Sequence, residues 1–440
     1  MSMRFQKTTV LFLAILTLLT GWQLAEAQYW VYVTNSVEGS LRVVDSATNQ
    51  KISSLIVGAG AFDVVLSPDS IRAYVLLTAD YGSGDVQIVN TLTNTVQSTI
   101  VPPTPGRSII LSSNGQRLYV SSRVSGGGAV YVYDTSTNGL VATITGLRDT
   151  AGPGVFLPNG SRLYIGDGNA HIIQVIDPVT NTLLGSFPSG GVEPHGLAVT
   201  PTGDTLYVAN SNSSQLAVFD SNTQVLRTTL SIPTANFVAI TPDGKKAYVT
   251  SSSSSVSVVD TLTNTVQQTI SLGSGSTGIA ITPNGAFAYV AAGLGGLKVI
   301  NTAHDTVVAT VPFDQGLDRV AIGVALFQTV KIDIHPGSFP NSINPRSNGV
   351  TPVAILTQGG FDARTVDVKT VRFGRFGTEA AAVQSALEDV DRDGDLDLIL
   401  HFRTQETGIQ CGDTSAMLIG VTLSSQIIEG SDSIVTVGCQ

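Results

Sequence analysis

The chain has 440 residues, with 33 Asp or Glu against 23 Lys or Arg and a formal net charge of −10. Only 13% of residues are charged while 42% are hydrophobic, which excludes a disordered, highly charged chain. The basic residues form no stripe, which argues against nucleic acid as a partner, and the length calls for two or three domains rather than one small core.

The N-terminus reads as an export signal. Arg4 and Lys7 precede an apolar run, Val10 to Leu19, broken only by Thr17, and Ala25-Glu26-Ala27 has the small-x-small form of a cleavage site. Residues 1–27 are therefore expected to be removed, leaving Gln28 first. The run is short for a bilayer span and no later stretch is apolar for long enough, so no transmembrane span is expected after cleavage. The expected location is secreted, periplasmic or cell-surface.

Residues 28–328 are built on a repeat. An (Ala/Leu/Val)-Tyr-(Val/Ile) strand recurs at Tyr32, Tyr74, Tyr119, Tyr164, Tyr207, Tyr248 and Tyr289, with 41 to 45 residues between neighbours. Each unit continues alike. A second strand ends in Asp or Asn, as at Asp45, Asn90, Asp134, Asp177, Asp220, Asp260 and Asn301, and that side chain can fix the following turn by bonding the backbone two residues on. A third strand follows, as in Val266 to Ile270, and then a short one of small apolar residues, as in Gly278 to Ile281. A tight turn such as Pro283-Asn284-Gly285 ends the unit, with glycine accepting positive φ. Four strands in a period in the low forties make a propeller blade. The first unit lacks an inner strand and Arg319 to Leu326 supplies a spare one. Pairing the two closes a ring of seven blades, so the fold class is all-β, a seven-bladed β-propeller closed by its terminal strands.

Tyr32-Val33-Thr34-Asn35, with echoes at Tyr207-Val208-Ala209-Asn210 and Tyr248-Val249-Thr250-Ser251, resembles the YVTN-repeat (YncE-like, surface-layer-type) β-propeller family over about residues 29 to 327. The resemblance implies an exported or surface-layer protein and leaves the ligand open. No Trp-Asp signature of the WD40 type occurs. Quinone-dependent propellers are tryptophan-rich, whereas the mature chain has only Trp30.

In residues 329–440 the repeat stops. Strands are expected over Val330 to Ile334, Thr351 to Leu356, Thr370 to Phe373, Leu396 to Phe402, Ala416 to Leu423 and Ile434 to Val437, with a helical turn or two near Ala380 to Ala386. This reads as a small β-sandwich-like domain. Ile332-Asp333-Ile334-His335-Pro336-Gly337-Ser338 and Asn341-Ser342-Ile343-Asn344 resemble an accessory module of exported bacterial proteins. The two cysteines, Cys411 and Cys439, are expected to form a disulfide across a hairpin.

Asp389, Asp391, Asp393, Asp395 and Asp397, with Gly394 at the sixth position, match the first three-quarters of an EF-hand-type calcium loop. Side-chain ligation is expected from Asp389, Asp391, Asp393 and Asp397, with the Asp395 carbonyl between them and Leu396 anchoring the loop in the core. Position 12 is Leu400, not glutamate, and a strand follows in place of a helix. The closer likeness is to integrin-type or dockerin-like calcium loops, with a structural role. No haem, quinone or nucleotide is expected.

No nucleophile elbow, phosphate loop, zincin helix or paired-cysteine site occurs. Aligning the inner strands places Phe62, Arg107, Gly152, His195, Asn236, Thr277 and Asp318 around the channel mouth, with Glu193, Asp167 and His171 nearby. Arg107, His171, Glu193, His195, Asn236 and Asp318 are the candidate ligand-binding residues for a small polar ligand or metal. The expected partner is an envelope component, glycan, protein or small molecule, bound without catalysis. The alternative is a lactonase-like propeller hydrolase or lyase using His195.

Overall fold

The computed structural model describes residues 28–439, apart from 79–81, 125–126, 149–151, 315, 326 and 424–425. The export-signal expectation for residues 1–27 lies outside them. Seven four-stranded antiparallel sheets make the propeller. Blade 1 runs outward as Val320–Val324, Tyr29–Asn35, Ser40–Asp45 and Gln50–Ile56. Blades 2 to 7 begin on the inner strands Ala61–Leu66, Gly106–Leu111, Gly154–Phe156, Pro194–Val199, Ala235–Ile240 and Gly278–Ile281, each followed outward by three strands in chain order. The expected closure is present, with Val320–Val324 pairing antiparallel to Tyr29–Val33.

Strands alternate side chains between two faces, and in a propeller both faces of a sheet are covered. The apolar residues accordingly form seven separate cores, one at each interface between neighbouring blades. The seven repeat tyrosines are each no more than 1% exposed. Five of their hydroxyls bond into the next blade, while that of Tyr32 is buried without a partner among the described residues. Tyr119 donates to the Pro178 carbonyl (3.5 Å), Tyr164 to the Ser221 carbonyl, Tyr207 to Asn264 Oδ1 (2.7 Å), Tyr248 to Asp305 Oδ1 and Tyr289 to Asn49 Oδ1 (3.0 Å). Burial pushes the Tyr119 and Tyr207 phenols up to about 12.

The receiving turns are built by the repeated Asp or Asn. Asp260 Oδ1, for example, accepts the N–H groups of Leu262 and Thr263 at 2.9 and 2.8 Å. Four residues after each such side chain stand Asn49, Asn94, Asn138, Asn181, Gln224, Asn264 and Asp305, all left-handed at φ between 49° and 62°. Asn and Asp tolerate that conformation better than other L-residues.

The C-terminal region is one curled sheet of eight strands. In order it comprises Gln328–Thr329, Ile427–Ser433, Ser415–Val421, Arg372–Gly374, Ala380–Glu388, Asp397–Arg403, Val350–Ile355 and Ile332–Ile334. Its two edges are separated only by Val330 and Lys331, so the sheet folds over itself and its halves share one core around Phe373, Phe402, Leu400 and Leu418. The expected helical turn at 380–386 is a strand instead. Pairing with Asp397–Arg403 and Arg372–Gly374 outweighs the helix preference of its alanines.

The expected strand Ile434 to Val437 is shorter, Val435–Thr436, and is not the hairpin partner of Ser415–Val421. Ser415–Val421 pairs with Ile427–Ser433, and Val435–Thr436 runs parallel to Ser342–Ile343. Cys411 and Cys439 are nevertheless joined, with Cα atoms 5.7 Å apart. The sheet docks on blade 1. Ile427 and Val421 pack with Ile52 and Leu55, and Phe327 meets Trp30 edge-on with centroids 4.9 Å apart.

Asp305 joins two anchors, accepting from Tyr248 and from Lys246 Nζ at 2.7 Å. Tyr248→Phe is expected to cost about 1 kcal/mol and Asp305→Ala about 2–3 kcal/mol, because the alanine strands both donors. Asp305→Asn keeps the acceptor and the left-handed turn and should recover most of the loss. Urea unfolding reads all three. An Asp305→Ala variant no less stable than Tyr248→Phe would show that this turn does not tie the blades together.

Candidate functional site at the channel mouth

The inner strands are irregular where they meet the channel. Register shifts place Phe62 between paired Ala61 and Asp63, Arg107 between Gly106 and Ser108, and His195 between Pro194 and Gly196. In blade 6, Asn236 and Phe237 together stand opposite Thr250, between the pairs made by Ala235 and Val238. Such β-bulges re-aim side chains, and here they turn four blades' residues towards the axis. A cavity of about 370 Å³ results, lined by Phe62, Asp63, Arg107, Arg123, Glu193, His195 and Arg319 among others.

Of the residues named from sequence, Arg107, Glu193 and His195 line this cavity, with Phe62 and Gly152. His171 is exposed at φ 57° and its Nδ1 accepts the Glu193 N–H at 3.1 Å, so these two do meet. The Glu193 carboxylate accepts from the Ser211 hydroxyl at 3.3 Å. Asn236 and Thr277 stitch blades, donating to the Ser276 carbonyl (3.0 Å) and the Leu317 carbonyl (2.8 Å). Asp167 accepts from the Ala170 N–H and from Gln174 within its own blade. Asp318 turns to the closure, where its Oδ2 accepts the Ser36 N–H at 2.7 Å. The neighbour of Asp318, Arg319, is the residue that enters the cavity.

Arg319 was not among the expected residues and is central. Its guanidinium lies 3.8 Å from the Phe237 ring centroid and 4.5 Å from that of Phe62. One of its nitrogens donates to the Thr277 carbonyl at 2.6 Å. His195 stacks edge-on against the other side of this arrangement, 4.8 Å from Phe237. Desolvation holds Arg319 below its ordinary value, opposed by the charges of Asp63 and Asp318. Desolvation and then the Arg319 charge pull His195 down to about 4, against an Asn236 hydrogen bond. The imidazole is therefore neutral at physiological pH, and its Nδ1 is buried without a partner among the described residues.

The acidic loop is a separate feature. Carboxylate oxygens of Asp389, Asp391 and Asp397 lie within 4.8 Å of one another. Asp397 is fully buried and accepts the Thr357 and Val390 N–H groups at 2.8 and 3.0 Å. Arg392 at φ 63° and Gly394 at φ 101° curl the chain between them. Desolvation, with the Asp393 and Asp397 charges, holds Asp391 above the ordinary carboxylate range. Converging hard oxygen donors of this kind suit calcium. Asp393 and Asp395 lie outside the convergent group, the Asp393 carboxylate accepting the Asp395 N–H at 3.1 Å. Leu396 does not anchor the loop as expected. It is 43% exposed, and the buried neighbours Asp397 and Leu398 take that part.

The NHL repeat family model matches residues 192–219, which cover the first three strands of blade 5 but for Asp220, the His195 bulge included. No curated protein matches the chain. Among solved structures, a functionally unknown protein from Desulfotomaculum acetoxidans is similar over 67% of this chain and 98% of its own, with a TM-score of 0.59 and 16% identity. Hydrazine synthase from Kuenenia stuttgartiensis is similar over 61% of this chain and 96% of its own, with a TM-score of 0.54 and 17% identity. At these identities the likeness shows the propeller fold alone.

A pH dependence follows from His195. Between its ordinary value of 6.5 and about 4 the unfolded chain binds a proton that the folded chain refuses, so stability falls as pH drops through that window and this loss is complete below it. Thermal melts of the wild type and His195→Gln from pH 7 to pH 4 check this. The variant should lose less stability on acidification, and parallel curves would show that His195 titrates normally.

Proposed function

We propose that this β-propeller is an exported, non-enzymatic binding or cell-surface interaction protein, which takes its ligand at the channel mouth and carries a calcium-stabilised C-terminal module. The observation that carries the reading is the set of bulged inner strands. They cost regular pairing in four blades and direct Phe62, Arg107, His195 and Phe237 to one place, as expected where a scaffold presents a ligand site. The NHL-repeat match supports a propeller used as an interaction scaffold. The Tyr-Val-Thr-Asn wording at residues 32–35 supports the finer kinship with exported YVTN propellers. Binding is favoured over lactone or ester hydrolysis because His195 packs on Phe237 while the Glu193 carboxylate bonds Ser211, so the two form no acid–base pair.

In the C-terminal module Asp389, Asp391 and Asp397 would hold the calcium ion, which would pin the loop to the strand Asp397–Arg403. The test is retention of the mature protein, residues 28–440, on an envelope fraction from its own cells, in calcium and in EDTA. Retention is expected in calcium. Its loss in EDTA would place attachment in the C-terminal module, and its persistence would place it on the propeller. No retention in either condition would overturn the surface-interaction reading. Separately, Asp391→Asn should lower the melting temperature in calcium and leave it unchanged in EDTA, and equal melting in both conditions would remove calcium from the account.

A further inference from the structure

We infer that Arg319 is the anchor of a carboxylate-binding site at the channel mouth, so that the ligand is a small organic acid. The inference rests on the channel mouth being the ligand site and adds the chemistry of what it takes. The warrant is an unbalanced charge. Arg319 is a desolvated cation inside the channel, yet neither Asp63 nor Asp318 is within ion-pair distance of it. Asp63 bonds the Val64 and Ile109 N–H groups and the Ser108 hydroxyl, and Asp318 bonds the Ser36 N–H. An interior cation without a close counter-ion is costly, and here the folded protein leaves that charge available.

The geometry also selects the kind of anion. The rings of Phe237 and Phe62, at 3.8 and 4.5 Å, both pack on the guanidinium and restrict it. One N–H is taken by the Thr277 carbonyl, and no other acceptor among the described residues reaches the guanidinium. The remaining N–H groups belong to a restrained guanidinium in the wall of a cavity that Arg107, Arg123 and the neutral His195 also line. A planar carboxylate matches a guanidinium with two parallel hydrogen bonds. Among the described residues the lining includes the carboxylates Asp63 and Glu193, and both are already engaged, Asp63 by the Val64 and Ile109 N–H groups and Glu193 by the Ser211 hydroxyl. The cavity volume of about 370 Å³ suits an acid of a few carbon atoms. The unpartnered Nδ1 of His195 offers a further polar contact to a hydroxyl or second carboxyl of that acid.

The test is titration calorimetry of the mature protein with succinate, glucuronate, inorganic phosphate and the uncharged succinamide. Succinate or glucuronate should bind, with succinamide silent and phosphate weaker. Succinate preferred over glucuronate identifies a free acid as the source, and the reverse identifies the acidic end of a glycan. Arg319→Lys, which keeps the charge and loses the fork, should weaken binding about tenfold or more. Because Arg319 variants could fold poorly, Asp63→Asn is the second arm. Removing that nearby negative charge should tighten carboxylate binding several-fold and leave succinamide silent. No carboxylate binding at about 10 mM, binding unchanged in both variants, or equal binding of the amide would overturn the inference. Envelope retention of the Arg319→Lys protein separates the two readings. Retention intact while carboxylate binding is lost leaves the interaction scaffold standing with the acid site confirmed, and retention without any carboxylate binding rejects the acid site alone.

Discussion

The structure depends on one antiparallel pairing between strands almost three hundred residues apart. A propeller blade has apolar residues on both faces, so each must have a neighbour on either side, and the ring is stable only if it closes. Here Tyr29 to Val33 pair with Val324 to Val320. The Thr34 N–H donates to the Arg319 carbonyl (3.1 Å), the Arg319 N–H to the Thr34 hydroxyl (3.0 Å) and the Asp318 N–H to the Thr34 carbonyl (3.1 Å). The closing strand therefore does two things. It completes blade 1, and it holds Arg319 at the channel mouth against rings from blades 2 and 6.

Around the ring, closure is spread over equivalent small contacts. The Asp or Asn ending each third strand folds the next turn, the fourth residue after it turns left-handed, and at five interfaces the tyrosine of the preceding blade uses that turn or its side chain as an acceptor. Sequence spacing alone made the tyrosines, the turn-forming Asp and Asn, the blade number and the closing strand legible, because a propeller repeats one local pattern and its strands pair with chain neighbours. The C-terminal sheet was less legible for the opposite reason. Ala380–Glu388 and Ile427–Ser433 lack the apolar alternation of a strand and are held by partners distant in sequence, so tertiary pairing decided what propensity could not.

The channel mouth was half legible. Aligning the inner strands found Arg107 and His195 and reached Asp318, one residue short of Arg319. The alignment assumed one inward residue per blade at one fixed position, whereas in blades 6 and 1 the residue after it, Phe237 and Arg319, is the one that reaches the site, while Asn236 bonds a neighbouring blade and Asp318 the ring closure. At that next position blades 5 and 7 carry Gly196 and Gly278. An added Cβ at Gly196 would lie 2.6 Å from the Phe237 Cα, and one at Gly278 would lie 2.9 Å from the Arg319 Cα. The signal was present in the sequence, since a phenylalanine and an arginine stand where blades 5 and 7 have glycine. A repeat position that breaks from small to large at the ring's centre marks a site better than the position its neighbours share.

That substitution also explains how the protein tolerates a cation there. A guanidinium is more weakly hydrated than an ammonium and keeps its charge when desolvated. Cation–π contact with two rings and the Thr277 carbonyl offset part of the lost hydration. The offset is incomplete, since Arg319 remains below its ordinary value despite two carboxylates near enough to act on it. Both could have been placed for a salt bridge and instead bond backbone N–H groups. The fold therefore spends its own anions on blade and ring closure and leaves the cation for something that arrives from outside.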